Sequence, residues 1–368
     1  MEDKSNRASR YARTRRILSL TQSVILYAIL LVLLFTGLSK DIAGFSYSLS
    51  GNDYIALLIF LAIVAISEGL ITFPLSFYSG YILEHKYQLS NQSLKGYFGE
   101  ALKGLVLTIV IGVPVVLGFY FILKNTGEWW WFFVGVFMFL LSVVIGRLAP
   151  VLIMPLFYKF KSLDDEELKE RIMRLCEKTG INVEGIFSFD MSKNTKKANA
   201  AFTGMGKSKR IILGDTLLEK FTPEEIEFVF AHEMGHYVNR HLTKLVLIST
   251  VSTFLGLYIT SLLFNNTLGL FGFTNQYEIA ALPLLFLYLS IYGLITTPIT
   301  NIFSRKYEWE ADTYALETTR DRAAFISSME KLAEQNLSER TPNKIIEFLF
   351  HSHPSLSKRI EFARNYEL

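Results

Sequence analysis

The stretch FAHEMGHYVNRH, residues 230–241, carries three of the six histidines of this 368-residue chain. His232 and His236 are four residues apart, so one helical turn brings both imidazoles to the same face, where they can bind one Zn²⁺. Glu233 follows the first histidine and can reach a water on the metal. Zinc lowers the pKa of such a water from about 15.7 to near 7, and a carboxylate base then makes it a nucleophile toward a peptide carbonyl. The spacing therefore predicts metallopeptidase chemistry.

A helix must carry these residues, and the sequence predicts one from about Pro223 to Asn239. Thr222 is the expected N-cap, Pro223 takes the first helical position, and Glu225 takes the third, which is a capping-box arrangement. The alternative is an amphipathic helix whose histidines only pair with carboxylates.

A catalytic zinc site needs a third protein ligand. In SRKYEWEADTYALE, residues 304–317, a helix places Glu308 and Asp312 on one face, while Glu310 points elsewhere. Glu308 could bind the metal, and Asp312 could accept the outer N–H of a ligand histidine. Spacing alone does not choose among four candidates: Glu308, His241, His351 and His353.

The composition places this chemistry in a membrane protein, because 51% of the residues are hydrophobic and the charges are segregated along the chain. The single cysteine, Cys176, excludes an intramolecular disulfide framework and a cysteine-rich metal site. Six apolar runs reach the roughly 20 residues needed to cross a bilayer. The first is too long for the apolar core of a signal peptide, and no cleavage site follows it. The runs are residues 18–39, 54–83, 102–124, 129–157, 242–264 and 279–303.

The flanking charges predict the orientation. The N-terminal arm carries five arginines between Arg7 and Arg16, whereas the loop after the first run has only Lys40. Six alternating spans then place both termini and the active site in the cytosol. The arm could also be a nucleic-acid tail, but its position against a span favours topology and contact with anionic membrane lipids. No nucleic-acid partner is expected.

These observations divide the chain into five parts. Residues 1–17 form a basic cytosolic arm and residues 18–157 a four-helix membrane region. Residues 158–241 form a cytosolic domain with the zinc helix, residues 242–303 two further membrane helices, and residues 304–368 the rest of the protease domain.

The motifs reached so far resemble those of the type I CAAX prenyl endopeptidases, which are integral-membrane zinc proteases with shorter bacterial relatives. The likeness runs from about residue 70 through ordered blocks: FPLSFYSGYILEHKYQLSNQSL, APVLIMPLFYKF, SKNTKKANAAFTGMGKSKRIILGDTLLE, AHEMGHYVNRH, SRKYEWEADTYA and SHPSLSKRI. The resemblance implies a mainly α integral membrane protein. About six transmembrane helices would enclose a chamber, with a cytosolic zincin-like α+β domain built from two chain segments.

The resemblance also assigns roles to residues. It implies one Zn²⁺ per chain with Glu308 as the third ligand, and Asp312 as the residue that hydrogen-bonds a ligand histidine. His353 and Arg359 match family positions near the zinc, where a donor could stabilise the oxyanion. The segment around Asn199 matches the part of the family that contacts substrate.

That segment is predicted to be a hairpin, with strands near 198–203 and 210–213 joined by a turn of Gly and Lys residues. An edge strand beside a zinc site can bind an extended peptide as an added strand. The expected substrate contacts are Asn199, Ala200 and Phe202. Two positions depart from the family, because Lys197 and Ala201 stand where a histidine and an aromatic residue are common. An additional N-terminal span and a long charged insertion of fuller eukaryotic members are also missing.

Three functions fit these features. The first is CAAX-type processing of a peptide or protein isoprenylated at a C-terminal cysteine. The second is quality control of damaged or stalled membrane proteins, whose substrates are not prenylated. The third is a non-enzymatic scaffold or transporter, against which the HExxH motif and Glu308 argue. The expected location is the bacterial inner membrane or the endoplasmic reticulum, according to the host.

Overall fold

A computed structural model of the chain describes residues 2–181, 183–203 and 210–368. The membrane region begins with α1 (Glu2–Phe35), α2 (Leu38–Leu49), α3 (Asp53–Phe77), α4 (Leu83–Lys86), α5 (Leu94–Asn125), α6 (Trp130–Leu148) and α7 (Met154–Phe157). The polar part contains β1 (Phe160–Ser162), α8 (Glu166–Lys178), β2 (Gly185–Phe189), β3 (Ala200–Thr203), β4 (Arg210–Gly214), α9 (Asp215–Leu218) and α10 (Pro223–Val238). The chain ends with α11 (His241–Thr267), α12 (Leu282–Thr319), α13 (Arg322–Gln335), α14 (Lys344–Phe350) and α15 (Leu356–Asn365).

Six helical segments are long and apolar enough to cross a membrane, which confirms the number of predicted spans. They are Asn6–Phe35, Asp53–Lys86, Leu94–Asn125, Gly127–Phe157, His241–Phe271 and Ile279–Thr319. Two of them contain a single π-helical turn, at Tyr78–Ile82 and at Ala149–Ile153. The basic arm is not a separate segment, because it forms the first turns of α1.

The six spans form a closed ring, in which α1, α3, α5, α6, α11 and α12 contact one another in that order and α12 returns to α1. Between 0% and 39% of the residues in the most apolar window of each span are buried. A solid bundle would bury one face of every helix. The low burial fits the open ring that these contacts describe, and the family resemblance implied a chamber inside such a ring.

The short helix α2 was not predicted, since its segment lacks a run of apolar residues. It buries a stripe of small side chains, Ser39, Ala43 and Ser46, against α1 and α3. These positions are four and three residues apart and lie on one helical face. At 12 residues, α2 is too short to span a bilayer.

The four strands form one sheet in the order β1-β2-β4-β3. Strand β2 runs parallel to β4, while β1 and β3 are antiparallel to their neighbours. The predicted hairpin is present, with Ala200 opposite Leu213 and Thr203 opposite Arg210. Its predicted turn falls on residues 204–209, which lie outside the described residues. Because β3 is the last strand of the sheet, one of its sides faces no other strand.

The sheet and the helices around it share one hydrophobic core, which draws residues from before and after the last two membrane helices. Ile172 of α8, Ile211 of β4, Phe228 of α10 and Phe325 of α13 are buried in it. The rings of Phe228 and Phe325 stack with centroids 4.4 Å apart. Two separate chain segments therefore form a single protease domain.

Candidate active site

Helix α10 carries the HExxH motif and begins as predicted. The Thr222 hydroxyl accepts a hydrogen bond from the Glu225 backbone N–H, and the Glu225 side chain accepts one from the Thr222 backbone N–H. The Glu225 carboxylate also accepts from the Ser327 hydroxyl at 2.5 Å and pairs with Lys331 at 2.6 Å. The start of the helix is thereby fixed to α13.

Helix α10 packs directly on α12 at Gly235, inside the motif. A Cβ at Gly235 would lie 2.9 Å from Cα and 3.1 Å from the carbonyl oxygen of Ala311, closer than van der Waals contact allows. Ala311 stands between Glu308 and Asp312 on α12. The missing side chain of Gly235 therefore lets the two histidines approach the two carboxylates.

Three side chains converge at this contact and form a possible metal site: His232, His236 and Glu308. The Nε2 atoms of the two histidines are 3.2 Å apart. The Glu308 oxygens lie 3.5 Å from His232 Nε2 and 3.3 Å from His236 Nε2. Two ligands of a tetrahedral zinc ion, each at about 2.1 Å, are about 3.4 Å apart. The separations fit that geometry.

The hydrogen-bond partners of the histidines support this fit. His232 Nδ1 lies 2.9 Å from Asp312 Oδ1, and a carboxylate can only accept, so the proton of a neutral His232 is on Nδ1. Its Nε2 then presents a lone pair toward the Glu308 carboxylate. Glu308 Oε2 is buried and lies 2.9 Å from His353 Nδ1, but no donor among the described residues has hydrogen-bond geometry toward it. When both histidines are neutral, their Nε2 lone pairs and this carboxylate can bind one cation.

A buried ion pair between Arg359 and Asp312 lies next to His232. Arg359 donates to both oxygens of Asp312, through Nε at 2.8 Å and Nη2 at 2.6 Å. Burial alone would lower the pKa of His232, but the neighbouring carboxylates of Asp312 and Glu308 raise it to about 9. The surrounding carboxylates therefore favour positive charge at this point of the site.

One further side chain contacts the group of ligand atoms. His353, whose side chain is 63% exposed, places Nδ1 2.9 Å from Glu308 Oε2 as an ion-pair contact. Glu233 follows His232 on α10 and is half-buried. Its role as the general base stays a prediction from the motif.

Strand β3 lies against α10, the helix that carries His232 and His236. Asn199 is exposed, and its carbonyl oxygen accepts from the Gly214 N–H at 2.9 Å. Ala200 is half-buried against the core. Phe202 contributes its backbone to β3, and its side chain lies outside the described part of the structure. Of the predicted substrate residues, Ala200 and Phe202 lie on this edge strand, and Asn199 directly precedes it.

The segment that precedes β3 is fixed by contacts with α13 and with the membrane region. Asn336 at the end of α13 accepts from the Ala198 N–H at 2.9 Å, and Gln335 donates to the Lys196 carbonyl at 2.7 Å. Lys197, the first departure from the family pattern, pairs with Glu84 at 2.7 Å. A lysine here ties the start of the edge strand to the membrane region.

Sequence reasoning did not find two contacts around His236. His241, one of the four candidates for the third ligand, lies with Nδ1 3.0 Å from His236 Nδ1, outside the group of converging ligand atoms. Glu310, expected to point away from the metal, does so and meets His241 Nε2 at 2.9 Å. The remaining candidate, His351, uses its backbone carbonyl to accept from Arg305 at 2.6 Å. Spacing gave no signal for these contacts, since they depend on the turn after α10.

Two family models match the chain. The model of peptidase family M48 matches residues 162–367, and the model described as the CAAX prenyl protease N-terminal region, with five membrane helices, matches residues 1–159. Within residues 2–159 the structure has four helices long enough to span.

Individual relatives agree with the family models. The uncharacterized metalloprotease YhfN of Bacillus subtilis is 30% identical, over 98% of this chain and 85% of its own length. CAAX prenyl protease 1 of Saccharomyces cerevisiae is 30% identical, over 82% of this chain and 71% of its own. The crystal structure of S. mikatae Ste24p superimposes with a TM-score of 0.89 and 28% identity, over all of this chain and 90% of that one.

Family M48 is zinc-dependent, and the three converging side chains fit a zinc ion. The chain therefore belongs to peptidase family M48 and is an integral-membrane metalloendopeptidase related to the CAAX prenyl proteases.

Proposed function

We propose that this protease cleaves the C-terminal peptide from proteins isoprenylated at a cysteine, with one zinc ion bound by His232, His236 and Glu308. The observation that carries this proposal is the superposition on Ste24p, which extends over the whole chain. Relatives named CAAX prenyl protease 1 or its homolog match more than four-fifths of it. The ring of membrane helices adds an apolar wall on which a lipid-bearing peptide can lie.

In this proposal each side chain of the site has one task. Bound zinc supplies a Lewis acid for the scissile carbonyl and activates water. Glu233 accepts the proton of the attacking water and passes it to the leaving amine. His353 is exposed beside Glu308 and can donate to the oxyanion. Arg359 uses two of its donor nitrogens on Asp312, so its task is to hold Asp312 against His232.

The peptide would bind along β3. Its backbone would pair with the free side of this strand, near Asn199, Ala200 and Phe202, as an added antiparallel or parallel strand. The contact between β3 and α10 supports this placement, because a peptide paired there passes the metal site. The prenyl chain would lie among the apolar side chains of the chamber.

The test is cleavage of two substrates by the purified protein. We expect a farnesylated or geranylgeranylated CAAX peptide to be cut on the carboxyl side of the modified cysteine, and the same peptide without the lipid to be cut at least tenfold more slowly. Efficient cleavage of an unfolded membrane protein without any cleavage of the prenylated peptide contradicts the proposal. That result favours the quality-control function with the same catalytic residues.

A further inference from the structure

The two histidines of the metal site are held in different ways. His232 contacts a carboxylate directly, and that carboxylate, Asp312, is completely buried. His236 instead contacts another imidazole, that of His241, with 3.0 Å between the two Nδ1 atoms. His241 is 1% exposed and reaches Glu310 through Nε2 at 2.9 Å. A chain of three side chains therefore leads from the metal site to Glu310, whose side chain is 34% exposed.

The proton positions in this chain follow from donor and acceptor chemistry. The Glu310 carboxylate only accepts, so a neutral His241 carries its proton on Nε2 and has a lone pair on Nδ1. His236 must then donate from Nδ1 to His241. This leaves the His236 Nε2 lone pair directed toward His232 and Glu308, which is the tautomer that a metal ligand needs.

The backbone brings His241 to this position. In a continuous helix His241, five residues after His236, would lie about 140° around the axis, since each residue turns the helix by about 100°. Arg240 adopts a left-handed conformation, with φ 55° and ψ 34°, and separates α10 from α11. The helix is interrupted there, and His241 lies against His236.

Packing fixes the ring of His241. Its imidazole stacks on Tyr307 with centroids 4.5 Å apart and an interplanar angle of 13°. Lys244 and Lys306 each lie 3.8 Å from the Glu310 carboxylate. His241 begins α11, and Tyr307 and Glu310 belong to α12, so two membrane helices determine where the His236 ring can lie.

We propose that His241 and Glu310 are positioning residues that fix the tautomer and orientation of His236 and thereby slow the loss of zinc. This inference rests on the metal site of the proposed function and is independent of the substrate. Partners of metal-ligating histidines raise the basicity of the ligand and restrict its ring, and their removal typically lowers metal affinity 10- to 100-fold.

The test measures zinc release from the purified, zinc-loaded full chain into a chromophoric chelator. We expect His241→Leu to release zinc about 10 to 100 times faster than wild type. His241→Gln keeps one acceptor and one donor and should restore much of the slow release. Glu310→Gln keeps an acceptor without its charge and should fall between these two. Lys169→Gln removes a charge on α8 that pairs with Glu166 at 3.1 Å and is the control, with release at the wild-type rate.

The thermal unfolding midpoint, recorded for every variant, separates positioning from folding. Faster zinc release by Glu310→Gln, at an unchanged unfolding midpoint, supports the positioning of His236 by His241 and Glu310 (the relay) even if His241→Leu folds poorly. Wild-type release rates in both Glu310→Gln and His241→Leu overturn it. A wild-type protein that binds no zinc overturns both the relay and the proposed metal site. If zinc is held as expected but the prenylated peptide is not cleaved, the relay is supported and only the proposed substrate is contradicted.

Discussion

Three carboxylates near the two histidines differ in burial and in their contacts. Glu308 and Asp312 are buried and engaged with the histidines, whereas Glu233 is half-buried and lies on the helix that carries both imidazoles. The proposed ligand set and the proposed general base are thus separate groups. A substitution can remove one function without the other.

For Glu233→Gln we expect zinc content equal to that of wild type and a kcat lower by about 10²- to 10⁴-fold, because only the proton acceptor is lost. Elemental analysis and peptide cleavage measure the two quantities. His236→Ala serves as the contrasting variant and should lose most of its zinc. Equal zinc in His236→Ala and wild type would contradict the proposed ligand set.

His353 and Arg359 should also behave differently from each other. His353→Ala is expected to keep zinc and to lose about 10²-fold in kcat, as when one oxyanion donor is removed. Arg359→Ala leaves Asp312 buried without its ion-pair partner, so it should lower zinc retention and the unfolding temperature. Identical effects of the two substitutions on zinc and kcat would argue against separate tasks.

At the scale of elements, the contact between α10 and α12 sets the site. Gly235→Ala must push Ala311 away, because the new Cβ would lie 2.9 Å from its Cα. We expect loss of most of the zinc and of activity. Gly293→Ala on α12 is the control, since nothing lies within 4 Å of a Cβ there. Normal zinc content in Gly235→Ala would show that the helices can separate without moving the ligands.

The start of α10 gives a pH-dependent prediction. Burial would raise the pKa of Glu225, but its hydrogen bonds to Lys331, Ser327 and the Thr222 backbone lower it below 4.5. A depressed carboxylate pKa contributes stability above the unfolded-state value, and this contribution is lost as the pH falls through the folded-state value. Glu225→Gln should therefore cost about 1–2 kcal/mol at pH 7 and progressively less below about pH 4.5.

Thermal unfolding in detergent at several pH values measures this difference. The exposed neighbour Glu224, which pairs with Arg171 at 2.9 Å, provides the control. Glu224→Gln should change stability by less than about 1 kcal/mol. A Glu225→Gln penalty that is the same at pH 4 and pH 7 would contradict the role of its charge.

How far the sequence predicts these elements depends on whether the signal is local. The capping box at Thr222, the spacing of His232 and His236, and the length of the spans are local, and the structure has each of them. The helix α2 lacks an apolar run, and the contact of His241 with Glu310 needs a left-handed residue at Arg240. Side chains 69 positions apart meet only because helices pack, which spacing cannot show.

At the scale of the whole molecule, the ring has two distinct ends. Arg16 pairs with Glu339 at 2.8 Å, and Arg7 donates to the Tyr87 carbonyl, so the basic arm lies at the end that holds the protease domain. At the opposite end, Lys40 donates to the Gly272 carbonyl and Tyr120 to that of Tyr277. The Arg-rich end is the one that charge bias places in the cytosol.

Labelling of single introduced cysteines tests this orientation. Cys176 is 1% exposed, and burial raises its pKa to about 11, so the maleimide should not label the native thiol. In spheroplasts of a bacterial host, an impermeant maleimide should label a cysteine at the exposed Asn265 and not one at the exposed Asn6. After permeabilisation both should react, which controls for accessibility. Labelling of Asn6→Cys alone in sealed spheroplasts would invert the topology, and the proposed prenylated substrates of the cytosol could then no longer reach His232, His236 and Glu308.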